Sequence, residues 1–216
     1  MISLFLRAKH WQFFLLFVAI PFGVHSFNMT QLILNTVGSN TPEFDNAIGV
    51  FRGFVGVATL SFFGLFGWFW SIYFGLKKSL PAQIKFPDNR FRFFLLFPAI
   101  YIALLLFYFL SFINSFFSDA GEIEPVFIGM AMTIVIPLHL ISVFGMFHSL
   151  YWVAKTIKTA EMQRKVDFSE FVGEFFLIWF NPIGIWIVQP KVNRLFEHPP
   201  EVDEQKLDEN WERRTN

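Results

Sequence analysis

The chain has 216 residues, 54% of them hydrophobic and 20% aromatic, with 33 Phe and no cysteine. Charged residues make up 16%, against roughly 25% in soluble domains, and the formal net charge is zero. This composition excludes disulfides, thiolate metal sites and cysteine nucleophiles, gives no support to nucleic-acid binding, and points to a polytopic membrane protein.

The first predicted span runs from about Trp11 to Leu34. Arg7, Lys9 and His10 precede it, as in a secretory signal. Pro21, His25, Asn28 and Gln31, with no small-residue cleavage site, predict a retained helix instead. A polar loop, Asn35 to Asn46, leads to the second span, Ile48 to Leu76. That span carries Gly49, Gly53, Gly56, Gly64, Gly67 and Gly75. Gly49-x-x-x-Gly53 has the spacing that lets helix backbones approach in lipid, which predicts that this helix is the packing centre.

A basic loop from Lys77 to Arg92, broken by Pro81 and Pro87, precedes the third span, Phe91 to Phe117. An acidic turn, Ser118 to Pro125, leads to the fourth, Val126 to Ala154, with Pro137, His139 and His148. Lys155 to Asp167 reads as a basic helical connector. The last apolar stretch, Phe168 to Gln189, precedes Lys191, Arg194 and a charged tail.

Lysines and arginines set the orientation. Arg7 and Lys9, then Lys77, Lys78, Lys85, Arg90 and Arg92, then Lys155, Lys158, Arg164 and Lys165 share one side, and only Arg52 lies near the other. The positive-inside rule therefore places the N-terminus in the cytoplasm.

Phe13-Phe14-Leu15-Leu16-Phe17 recurs as Phe93-Phe94-Leu95-Leu96-Phe97. A second match runs Phe66-Gly67-x-Phe69-x-Ser71-x-Tyr73-x-x-x-Lys77 and Phe144-Gly145-x-Phe147-x-Ser149-x-Tyr151-x-x-x-Lys155. The pair implies duplication of a two-helix unit, with both copies in one orientation. Phe175-Phe176-Leu177-Ile178 reads as a third, truncated copy.

The expected architecture is all-α: a helical membrane bundle of four full spans as two parallel two-helix repeats, plus a fifth hydrophobic segment that is broken and re-entrant, or kinked. Residues 1–76 and 77–154 form the repeats, 155–196 the connector and broken segment, and 197–216 a charged soluble tail.

Candidate polar groups are few. His139 lies at mid-membrane, where an ionisable group is by default functional, although a neutral histidine bonded to a carbonyl freed by Pro137 is the preferred reading. Arg52 suits an anion or lipid headgroup, with snorkelling or pairing to Glu43 or Asp45 preferred. His25, His139 and His148 sit at different depths, which argues against a haem, and no cofactor or metal is expected.

In the last stretch, Asp167 and Glu170 read as a capping box, so Glu174 is the better functional candidate there. Asn181-Pro182 reads as a helix start. The apolar core Phe175 to Val188 is short for a crossing, so a re-entrant or interfacial hairpin with a cytoplasmic C-terminus is preferred over a fifth span.

The run Gly173-Glu174-Phe175-Phe176-Leu177-Ile178-Trp179-Phe180-x-Pro182-Ile183-Gly184-Ile185-Trp186-Ile187-x-Gln189-Pro190-Lys191-x-Asn193 resembles a signature of small uncharacterised multi-pass inner-membrane proteins of Bacteroidota. Lys9-His10-Trp11-Gln12 is similar too. The resemblance implies a bacterial inner-membrane location and no particular activity.

The leading functional expectation is a non-enzymatic integral membrane protein. It would act through helix packing in a homo-oligomer or membrane complex, with Gly49, Gly53, Gly56, Gly64 and Gly67 at the contacts and the bilayer as its constant partner. A small oligomeric transporter or channel, using the repeat interface with His139 and Glu174, is the alternative. A lipid-modifying enzyme with His139, His148 and Asn181 is the third.

Overall fold

A computed structural model describes residues 2–38, 44–118 and 125–200, with side chains described for these except 36, 38, 44–48, 111–118 and 125–131. The acidic turn after Ser118, the centre of the first polar loop and the charged tail beyond Pro200 lie outside the described residues. The described elements are all helical. They are α1 (Ile2–Arg7), α2 (His10–Phe14), a π-helical turn (Leu15–Ala19), α3 (Ile20–Gly38), α4 (Phe44–Leu76), a 3-10 turn (Lys77–Ser79), α5 (Asp88–Ser118), α6 (Pro125–Met162), α7 (Phe168–Trp179) and α8 (Asn181–Glu197).

Four helical stretches are long and apolar enough to cross a membrane: His10–Asn35, Gly49–Ser79, Asp88–Leu110 and Met132–Met162. Their apolar windows are only 6 to 22% buried, so most of this hydrophobic surface faces outward. In water that exposure would be costly; in hydrocarbon it is the favoured state. Neither α7, with 12 residues, nor α8, with 17, is among the four. At about 1.5 Å per residue, neither arm reaches across a ~30 Å hydrocarbon core.

The chain divides into two compact units. One comprises Phe14–Phe66 and Arg92–Phe147. Here prolines shape the helices. Pro21 has no N–H and crowds the turn before it, and the π-helical turn Leu15–Ala19 lies immediately upstream. Ser61 Oγ donates to the Leu16 carbonyl within that turn at 3.0 Å. Gly64 lets Leu16 and Phe17 close in: a methyl group there would stand 2.9 Å from each side chain. Pro98 has the same relation to Gly145, where a methyl group would meet the Phe94 carbonyl oxygen and Pro98 Cγ at 2.9 Å. Glycines thus sit where a proline-containing segment packs against a neighbour.

The other unit comprises Met1–Phe13, Gly67–Phe91 and the chain from His148 onward. Most of the buried core is here, including Leu6, Trp68, Phe69, Ile72, Tyr73, Phe91, Ile157, Phe171, Ile185 and Val188. Gly75 admits Leu6 and Gly67 admits Phe5, which seats α1 against the end of α4. Tyr73 stacks on Phe91 with ring centroids 3.7 Å apart, and its hydroxyl donates to Asp88 at 3.1 Å.

Helix α6 stops at Met162 without a glycine. Gln163 takes the left-handed conformation, φ 51°, and its side-chain amide donates to the Ala160 carbonyl at 2.7 Å. That bond occupies a terminal carbonyl and offsets part of the strain of a non-glycine residue at this position. The capping box of Asp167 and Glu170 then opens α7, with the Asp167 backbone N–H donating to Glu170 at 2.8 Å.

A single residue reverses the chain between α7 and α8. The Phe180 N–H donates to the Phe176 carbonyl at 2.8 Å, while the Phe180 carbonyl accepts from Ile183 and Gly184 at 3.0 and 2.9 Å. The helix start expected at Asn181-Pro182 is present, with a correction. Phe180 occupies the N-cap position and Asn181 is already helical, its Oδ1 buried without a hydrogen-bond partner among the described residues. The two arms close tightly at Gly184, where a methyl group would fall on the Leu177 carbonyl.

Candidate functional site

The polar groups of the C-terminal hairpin converge on the N-terminal residues and on α6, and build one connected site. Its centre is Gln189, fully buried on α8. Its Oε1 accepts from the Trp68 indole at 2.8 Å, and its Nε2 donates to the carbonyls of Phe5 at 3.0 Å and Ala8 at 2.8 Å. One turn later, Asn193 Nδ2 donates to the carbonyls of Leu6 at 2.8 Å and Ala8 at 3.1 Å. A helix ends with carbonyls that have no partner inside it, and two side-chain amides serve that purpose for α1. His10 packs its ring on Trp186, with centroids 4.6 Å apart, and the Gln12 side chain accepts from the Lys9 backbone N–H at 2.8 Å. The stretches Lys9–Gln12 and Trp186–Asn193 therefore meet.

Lys191, on the same helix, joins a four-charge cluster. Its Nζ lies 2.6 Å from Glu161 and 2.7 Å from Glu174. Lys158 is 2.8 Å from Glu161 and 3.7 Å from Glu174. Two cations and two carboxylates alternate across α6, α7 and α8 with no net charge. A second link joins Arg164 to Glu170, and this hydrogen bond to a carboxylate raises the guanidinium pKa above its ordinary value. The arrangement holds three helices together and leaves no carboxylate of the cluster without a cation.

Glu174 is the least exposed member, with 12% of its side chain accessible. Glu174→Gln leaves both lysines their bonds to Glu161, so we expect a loss of about 1 kcal/mol. Adding Glu161→Gln removes the remaining carboxylate, and the double variant should lose about 3 kcal/mol, more than the two singles together. Thermal melting of the four proteins in one detergent measures this; strict additivity would show that the four charges do not act as a unit.

The other expected residues lie elsewhere. His139 is exposed, and its Nδ1 is 3.5 Å from the Tyr101 hydroxyl, which also points at the Val135 carbonyl at 3.4 Å. A hydroxyl on α5, rather than a carbonyl freed by Pro137, is thus its described neighbour. His148 Nε2 accepts from the Trp152 indole at 3.1 Å, which makes Nδ1 the protonated nitrogen of the neutral ring. Arg52 is exposed on α4; Glu43 and the Asp45 side chain, its expected partners, lie outside the described residues. Among the described residues no group of three or more His, Asp or Glu gathers at metal-binding distance.

The glycines of α4 divide by what they face. Gly64 and Gly67 admit side chains of the N-terminal helices, as does Gly75, and a methyl group on Gly53 would stand 2.8 Å from Asn28 Nδ2. Gly49 and Gly56 are exposed, with nothing within 4 Å of an added methyl group among the described residues.

Sequence reasoning singled out Glu174 and missed Gln189, Asn193, Lys191, Glu161 and Trp68. A polar Gln-Pro-Lys-x-Asn run closing an apolar stretch was the available signal, since amides there need partners once the segment is buried. No family model, curated protein or solved structure matches the chain.

Proposed function

We propose that this chain is a multi-pass protein of a bacterial inner membrane that acts through helix packing, in a homo-oligomer or in a complex with another membrane protein, and not as an enzyme. The observation that carries the reading is the outward glycine pair on α4. Gly49 and Gly56 are seven residues apart, hence on one face, and carry no internal neighbour among the described residues. Small residues on an outward helix face permit the close backbone approach by which helices associate in lipid. Gly53, although in the same run, already accommodates Asn28.

The membrane part of the proposal has further support. The positive-inside count sets the N-terminus in the cytoplasm. The shortness of α7 and α8 favours a hairpin that dips into the bilayer and returns, so the C-terminus stays on the same side. Around its bend, Phe176, Trp179, Phe180, Ile183, Trp186 and Ile187 are exposed, a surface suited to the lipid interface. The repeat is supported by matched positions: Ser71 and Ser149 are both fully buried, and Tyr73 stacks on Phe91 where Tyr151 meets Phe171 edge-on.

Replacing Gly49 and Gly56 together by Leu should shift the protein from an oligomer to a monomer, or release a co-purifying partner, with the thermal midpoint unchanged. Mass photometry in nanodiscs reads this. A wild-type chain that is monomeric and partner-free, or an assembly indifferent to both leucines, would sink the proposal.

A further inference from the structure

We propose that the cavity bounded by Lys85, Lys155 and Lys165 binds a phosphate-bearing anion. The cavity measures about 310 Å³, within the range of small-ligand sites, and Gln83, Phe86 and Trp152 complete its wall. All of these residues belong to one compact unit.

The charge balance around this cavity differs from that of the lysines nearby. Lys77 is bound to Asp88 at 2.5 Å, Lys158 to Glu161 at 2.8 Å, and Lys191 to Glu174 at 2.7 Å. Among the described residues no carboxylate pairs with Lys85, Lys155 or Lys165. Three like charges on one cavity repel each other, and an anion between them removes that cost.

Lys155 shows how the site is built. Its Nζ lies over the rings of Trp152, Tyr151 and Phe171, at 5.3, 5.6 and 5.9 Å from their centroids, and 3.5 Å from the Tyr151 hydroxyl. Ring faces hold a cation in place without neutralising it. Trp152 is itself oriented by its bond to His148 and by edge contact with Phe86, 5.3 Å between centroids.

The repeat makes the vacancy of charge specific. Tyr73 and Lys77 match Tyr151 and Lys155 in sequence, and in the first copy both bond to Asp88, the residue that opens α5. In the second copy the acids at the start of α7, Asp167 and Glu170, form its capping box. Among the described residues no carboxylate takes that place beside Lys155, and a ligand oxyanion answers the same chemistry. A compact ammonium group suits a phosphate as a point charge, and a Trp and three lysines at the basic end of membrane helices suit a lipid phosphate in particular. The lipid source rests on the membrane reading above; a free phosphate does not.

The test uses the full chain in nanodiscs of phosphatidylcholine mixed with phosphatidic acid, with native mass spectrometry of the released protein, alongside calorimetric titration of inorganic phosphate in neutral detergent. Preferential retention of phosphatidic acid, reduced about tenfold or more in K155Q/K165Q, is the expected result. Lys155→Gln also removes ring contacts, so K85Q/K165Q, which alters two exposed side chains, should weaken retention in the same direction. Lys78→Gln, outside the cavity, should leave it unchanged. Binding of inorganic phosphate alone, lost in the same variants, supports the site and assigns it to a free anion. Equal retention of the two lipids with no phosphate binding, or retention indifferent to K85Q/K165Q, overturns the proposal.

Discussion

Gly184→Ala should destabilise the protein by about 3 kcal/mol or more, the largest effect of any single methyl group added at a described glycine. The methyl group would fall on the Leu177 carbonyl, which is backbone and cannot rotate away. Relief requires the arms of the hairpin to separate, and their separation pulls Gln189, Lys191 and Asn193 from their partners. Gly173→Ala is the matched control on α7, because nothing lies within 4 Å of a methyl group there. In a helix interior that exchange stabilises by about 0.5–1 kcal/mol. Melting followed by tryptophan fluorescence should therefore move the two variants in opposite directions. Equal midpoints would mean that the arms do not pack through Gly184.

Gln189→Met comes second. The replacement keeps the length of the side chain and removes its amide, which costs about 3 kcal/mol. Three hydrogen bonds at roughly 1 kcal/mol each, in a fully buried setting, set that figure. The Ala8 carbonyl keeps Asn193, but Phe5 loses its amide donor and the Trp68 indole loses this acceptor. The N-terminal helix should then loosen before the rest of the chain unfolds. Trypsin cleavage at Arg7 and Lys9, followed over time below the melting temperature, reads that loosening directly. Unchanged cleavage and an unchanged midpoint would show that Gln189 does not anchor α1.

These two residues also mark how far the sequence is legible. The four long helices follow from apolar runs alone, because a local excess of hydrophobic side chains is sufficient to predict them. The Asp167–Glu170 box and the start of α8 are equally local, and the helix boundary fell within a residue of expectation. What escaped reading depends on distant partners. Gln189 meets an indole 121 positions away, and the six residues of α1 are too few to signal a helix by periodicity. The stop of α6 at Gln163 carries no glycine to announce it, since the side chain itself supplies the terminal bond. Glu174 was recognised as unusual from its depth in an apolar run, yet its cations sit on two other helices, so sequence alone left its role open.

The amides that finish α1 have a consequence for how the protein is made. They are separated from their carbonyls by 181 to 187 residues of chain. Synthesis runs toward the C-terminus, so α1 leaves the ribosome long before the amides that complete it. Throughout translation its terminal carbonyls are held by water or by other transient partners. A polypeptide interrupted before Gln189 lacks every one of these amide donors, and so carries a mark of incompleteness in α1.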